Sequence, residues 1–94
     1  MTHPDELPDT NARASGRRWE VDGPDFIRLV GRGGAPLGYV GLYDNGWGAN
    51  IRIRSRRRRG VSWQVDGHWY RQVPGVFAHR GAAGRALLEA LNAR

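Results

Sequence analysis

The stretch Leu37–Arg54, with the sequence LGYVGLYDNGWGANIRIR, carries the pattern that decides the fold. Its first half is rich in aliphatic and aromatic residues, and Asp44-Asn45-Gly46 is typical of a tight β-hairpin turn. In the second half two sets of residues alternate and would lie on opposite faces of a strand. One set is Trp47, Ala49, Ile51 and Ile53, and the other is Gly48, Asn50, Arg52 and Arg54. The stretch therefore predicts two antiparallel strands with an apolar face for a core and a face that bears arginines.

Shorter patterns of the same kind flank this hairpin. Strand patterns cover Trp19–Asp22, Phe26–Val30, Val61–Val65 and His68–Val73. The period then changes to that of a helix beginning near His79 or Arg80, whose apolar stripe is Ala83, Ala86, Leu87, Ala90 and Leu91. We therefore predict an α+β fold, a small antiparallel β-meander of four to six strands packed on one C-terminal α-helix. Trp47 and Trp63 are in phase with the apolar positions and are expected in the core.

The charge is unevenly distributed along the 94 residues. The net charge is +6, and all 15 basic residues are arginine. Residues 1–25 carry a net charge of −3, and residues 26–94 carry +9. Residues 1–17 are polar and acidic and cannot offset their ordering entropy by burial. We predict a disordered acidic tail over residues 1–17, inert or lying over the basic face, and a single domain over residues 18–94.

Several classes of function lack the residues that they need. The chain has no cysteine, no apolar run long enough to span a membrane and no pattern of a secretory signal. Its histidines, His3, His68 and His79, show no metal-ligand spacing, and its serines lie in no nucleophile motif. We expect a cytoplasmic protein without catalytic residues, metal or other cofactor, and without membrane partners.

The arginines of the central region indicate a polyanionic partner. Arg52 and Arg54 on a strand could reach base edges, whereas the run Arg56, Arg57, Arg58 and Arg59 on a loop suits phosphates. Asn50 and Gln64 would add amide groups to the same face. These eight residues are the predicted nucleic-acid-binding site.

The sequence also resembles a known group of DNA-binding domains. Gly46-Trp47-Gly48-Ala49-Asn50-Ile51-Arg52, followed by Val76-Phe77-Ala78-His79 and an alanine-rich helix, resembles the three-stranded sheet plus helix of AP2 and phage integrase arm-type domains. The resemblance implies a sheet that docks in the major groove and is backed by the helix. It also implies DNA contacts from Arg52 and Arg54. The core residues that it implies are Trp47, Ala49, Phe77, Ala83 and Leu87.

We therefore expect a noncatalytic protein that binds nucleic acid, with double-stranded DNA favoured over RNA. The arginine-only composition is typical of a GC-rich bacterium or its phage. The alternative is a phage or accessory protein that binds and modulates a host protein with an acidic surface, using residues such as Trp69 and Tyr70 as anchors. An exposed edge strand could also pair with a second copy to form a homodimer.

Overall fold

The computed structural model describes residues 3–10, 16–55 and 61–93. The elements are β1 (Arg18–Val21), β2 (Phe26–Val30), β3 (Pro36–Tyr43), β4 (Gly46–Ile53), β5 (Trp63–Val65), β6 (His68–Gln72) and the helix α1 (Arg80–Asn92). A 3₁₀ turn, Arg32–Gly34, joins β2 to β3. The predicted α+β class, a small antiparallel sheet with one C-terminal helix, is confirmed. No helix in the described ranges is both long enough and apolar enough to cross a membrane.

The six strands form one antiparallel sheet in the order β1-β2-β3-β4-β6-β5. The β3–β4 hairpin lies at its centre, with Asp44 and Asn45 between the two strands. Its register runs from Gly38 opposite Ile51 to Tyr43 opposite Gly46. β6, and not β5, pairs with β4, so β6 lies between two strands that precede it in the sequence.

The main core lies between α1 and the centre of the sheet. Its fully or nearly fully buried residues are Leu29, Val40, Ala49, Ile51, Ala83, Leu87 and Leu91. Trp47 and Phe77 pack against this cluster, so the five core positions implied by the sequence resemblance do belong to the core. Gly38 allows the helix to approach closely, since a Cβ there would lie 2.7 Å from Leu87 Cδ1. Burial of this stripe, more than helix propensity, stabilises α1.

The side of the sheet that faces away from α1 is also covered, and we call it the aromatic face. Phe26 stacks on Tyr39 with 4.7 Å between ring centroids, and Tyr70 meets Tyr39 edge to face at 5.0 Å. Arg28 on β2 also forms an ion pair of 3.5 Å with Asp66 in the β5–β6 turn. In a flat sheet β2 and β6 would lie three strand spacings apart, ~14 Å. The sheet therefore curls toward this side and encloses the aromatic rings.

Only one of the two tryptophans expected in the core lies there. Trp47 is on the helix side of β4. Trp63 pairs with Tyr70 and therefore lies on the aromatic face, where its indole Nε1 donates a hydrogen bond to Tyr39 Oη. The prediction for Trp63 is wrong because β5 pairs with β6 and not with β4. Residues opposite each other on paired strands point to the same face, so Trp63 lies on the side of Tyr70.

Residues 3–10 lie against α1, although their polar and acidic composition predicts a disordered tail. Pro8 O accepts a hydrogen bond of 2.9 Å from Trp19 Nε1, and Asp5 O accepts one of 2.6 Å from Arg80 Nε. Thr10 is only 7% exposed. Gly81 and Gly84 of α1 leave room for residues 3–10. The polar composition of the segment does not predict this packing.

We expect Gly81→Ala to loosen residues 3–10. A Cβ at Gly81 would collide with Pro4 O and lie 2.5 Å from Glu6 O. In a helix without this packing, the same change would stabilise the protein by up to about 1 kcal/mol. Urea unfolding and limited proteolysis within residues 3–10 should show lower stability and faster cleavage for Gly81→Ala.

The control is the same substitution in a chain that lacks residues 1–10, where Gly81→Ala should raise stability. A stabilising effect of Gly81→Ala in the full chain as well would contradict the packing of residues 3–10 on α1.

Candidate nucleic-acid interface

Arg52 and Arg54 lie near each other at the end of β4. Arg52 is half-buried on the aromatic face, and its Nη1 donates a hydrogen bond of 3.2 Å to Pro36 O. Arg54 follows the last residue of β4 and is exposed. Both side chains line a cavity of about 530 Å³ together with Pro36, Leu37 and Ile53. We call this the arginine cavity; it brings two cations together beside a small apolar wall.

Asn50 does not reach the surface. Its side chain is fully buried, and its Nδ2 donates a hydrogen bond of 3.2 Å to Tyr43 Oη. Its Oδ1 has no hydrogen-bond partner among the described residues. The prediction of Asn50 as a surface contact for nucleic acid is therefore wrong, because the tyrosines of β3 cover this position.

Gln64 is exposed but lies on the other side of the sheet from Arg52. It pairs with Trp69, whereas its neighbour Trp63 pairs with Tyr70. Tyr70 is also the partner of Arg52, so Trp63 and Arg52 share the aromatic face and Gln64 does not. The predicted single face of arginines and amides is therefore wrong, and Gln64 is not part of it. The run Arg56, Arg57, Arg58 and Arg59 lies outside the described residues.

Two cations on the aromatic face, Arg28 and Arg18, are already paired with acids. Arg28 contacts Asp22 at 2.7 Å and Asp66 at 3.5 Å, and Arg18 contacts Glu20 at 2.9 Å. These exposed pairs add little stability. Their carboxylates nevertheless place negative charge where a phosphate backbone would have to lie. The face itself is a poor site for a polyanion.

Further basic side chains lie at one end of the sheet. Arg32, in the turn from β2 to β3, is exposed, and no hydrogen bond or ion pair joins it to the described part of the chain. The β2–β3 connection and the end of β4 lie at the same end of an antiparallel sheet, so Arg32 is on the side of Arg52 and Arg54. We call these three residues the arginine end. Arg32 was not predicted as a site residue. The antiparallel order of the predicted strands would have placed the turn from β2 to β3, and so Arg32, at the same end as Arg54.

A hydrogen-bonded group of phenols fills the aromatic face. The Tyr39 and Tyr43 hydroxyls lie 3.4 Å apart. Burial raises the pKa of Tyr39 far above its ordinary value of 10.0, and the hydrogen bond to Tyr43 raises it further. Burial also raises the pKa of Tyr70, against the opposing charges of Arg52 and Arg28. Both phenols therefore stay neutral at any physiological pH.

No cluster of metal-ligating side chains occurs in residues 3–10, 16–55 and 61–93. Comparisons with protein-family models, with curated proteins and with solved structures give no match to this chain.

The raised phenol pKa values predict a loss of stability in alkali. An acid whose folded pKa lies above its unfolded pKa stabilises the fold fully below the unfolded value, and this contribution is lost as the pH rises toward the folded value. The free energy of unfolding should therefore fall above about pH 10. The chain has neither lysine nor cysteine, so tyrosine is the only kind of side chain in it whose ordinary pKa lies between 9 and 12.

Urea unfolding of the wild type and Tyr39→Phe between pH 8 and pH 11 checks this prediction. The variant should be less stable at pH 8, because Trp63 Nε1 loses its acceptor, yet it should lose less stability on going to pH 11. Parallel pH profiles for the two proteins would contradict the assignment to Tyr39.

Proposed function

We propose that this protein binds double-stranded DNA without catalysis, through the arginine end of its sheet. The observation that carries the proposal is the arginine cavity. Arg54 is exposed and makes no hydrogen bond or ion pair with a described residue, and Arg52 is fixed beside it by Pro36 O. The sequence then continues, one residue later, into Arg56–Arg59. The described cations Arg32, Arg52 and Arg54 lie at one end of the sheet, as contacts to a phosphate backbone require.

The geometry favours contacts to phosphates over the reading of bases. Arg52 already donates one hydrogen bond to Pro36 O, and Leu37 and Ile53 beside it restrict the orientations of its guanidinium group. Guanidinium groups grip phosphate oxygens in pairs, and contacts of this kind position a protein on DNA without specifying sequence. The proposal therefore departs from sheet-in-groove docking, since the acids at Asp22 and Asp66 would oppose a duplex laid across the aromatic face.

Some further features of the proposal follow from this ligand. A protein that binds DNA would act in the cytoplasm of a bacterium, as a small accessory protein of a GC-rich host or its phage. Binding of the arginine end to an acidic host protein, binding of RNA and dimerisation through an edge strand stay predictions of the sequence.

Anisotropy titrations of a labelled 20-bp duplex at several salt concentrations test the proposal. Five phosphate contacts give a slope of log K against log salt of about −4 to −5. Arg54→Ala should weaken binding to all duplex sequences alike and reduce the slope by about 0.9.

The matched control is Arg85→Ala, which removes the same charge from an exposed position on α1. It should leave both affinity and slope nearly unchanged. Equal effects of the two changes would mean that only net charge matters, and no binding at about 50 mM salt would overturn the proposal in favour of a protein partner.

A further inference from the structure

A second cavity lies on the aromatic face. It has a volume of about 600 Å³ and is lined by Tyr39, Tyr43, Asn45, Trp63 and Gln72. We call it the aromatic cavity. Its volume lies within the range of cavities that hold small organic groups, and none of the described residues that line it is charged.

The walls of this cavity are held in place by the fold. A Cβ at Gly48 would lie 2.8 Å from Tyr43 Cε2, so only glycine lets the Tyr43 ring lie across β4. Asn50 Nδ2 donates a hydrogen bond to the Tyr43 hydroxyl from beneath. Trp63 Nε1 donates to the Tyr39 hydroxyl, which fixes the orientation of the indole. The polar atoms of these rings are thus satisfied inside the protein, and their apolar surfaces are what they offer to a ligand.

The remaining polar groups at the cavity are amides. Asn45 and Gln72 are exposed, and their side-chain amides make no hydrogen bond to any described residue. Each amide offers both donors and an acceptor. A ligand that fits this set is planar, uncharged and apolar on its faces, with donors and acceptors around its edge. A nucleobase has this chemistry, and stacking on aromatic side chains is how proteins bind unpaired bases.

Trp63 is the part of the aromatic cavity nearest the arginine end, whereas Tyr43 and Asn45 lie at the opposite, hairpin end of the sheet. Trp63 and Arg52 both pair with Tyr70 and share one face, so their backbones are two strand spacings apart, ~10 Å. A strand whose base enters the cavity can therefore bring its phosphates to Arg52. We propose that the aromatic cavity binds an unpaired nucleobase of DNA held by the arginine end. This inference rests on the proposed function, because the arginines supply the affinity for the backbone.

The test compares a 20-bp duplex, the same duplex with a 3′ tail of eight thymidines, and the eight-thymidine strand alone. The tail should tighten binding about fivefold or more, as expected for at least one stacked base. It should also quench the fluorescence of Trp63, a signal that Trp63→Phe removes.

Tyr43→Leu and Gln72→Ala should abolish the advantage of the tail and leave binding of the plain duplex unchanged. Leu42→Ala is the matched control, since Leu42 is 44% exposed and Tyr43 43%, on opposite faces of the same strand. Leu42→Ala should keep the full advantage. Arg54→Ala should weaken both duplexes by the same factor.

The two proposals fail in different ways. Binding of the plain duplex with no gain from the tail, or a gain that survives Tyr43→Leu, would overturn the nucleobase cavity and leave the DNA proposal standing. Binding of the thymidine strand without binding of the duplex would overturn the proposal of double-stranded DNA binding and leave the nucleobase cavity standing. If none of the three probes binds at about 50 mM salt, both proposals are wrong.

Discussion

The alternation of side chains along β4 is the constraint on which the rest of the structure depends. β4 lies at the centre of the sheet and is covered on both sides, so every residue must suit one of two different layers. Ala49 and Ile51 are small or compact enough to lie under α1, whereas Gly48 and Asn50 lie under tyrosines. A slip of one residue in register would exchange the two layers. The hairpin turn at Asp44-Asn45 prevents that slip and so fixes both.

Asn50 connects the aromatic rings of the second layer to β4. A buried amide that lacks a partner for one atom lowers stability by about 1–3 kcal/mol. Its Nδ2, however, ties Tyr43 to the strand, and Tyr43 in turn meets the Tyr39 hydroxyl that Trp63 uses. One polar residue thereby links three aromatic rings from two different strands, β3 and β5. An apolar residue at position 50 would fill the space and leave the Tyr43 ring without this anchor.

Features set by local periodicity could be predicted from the sequence, and features set by distant contacts could not. Apolar residues recur with a period of two after Gly46 and with a period near 3.6 after Arg80. Each period indicates a strand or a helix without knowledge of the rest of the chain, so the hairpin, the helix and the main core were predictable. The side on which Trp63 lies depends on the position of β6 between β4 and β5, which no local pattern encodes. The same holds for residues 3–10, whose place depends on the absence of side chains at Gly81 and Gly84, more than 70 residues away in sequence.

The distribution of arginines follows from the same architecture. Within the strands, Arg28 lies on the aromatic face and contacts Asp22 and Asp66 in pairs that stay exposed to solvent. At the ends of the strands, Arg32 and Arg54 are exposed and have no partner among the described residues. Cations can collect there without destabilising the sheet, because solvent hydrates them. The alternation that suggested an arginine-bearing face thus leads to a different surface: aromatic rings cover the face, and the arginines lie at its end.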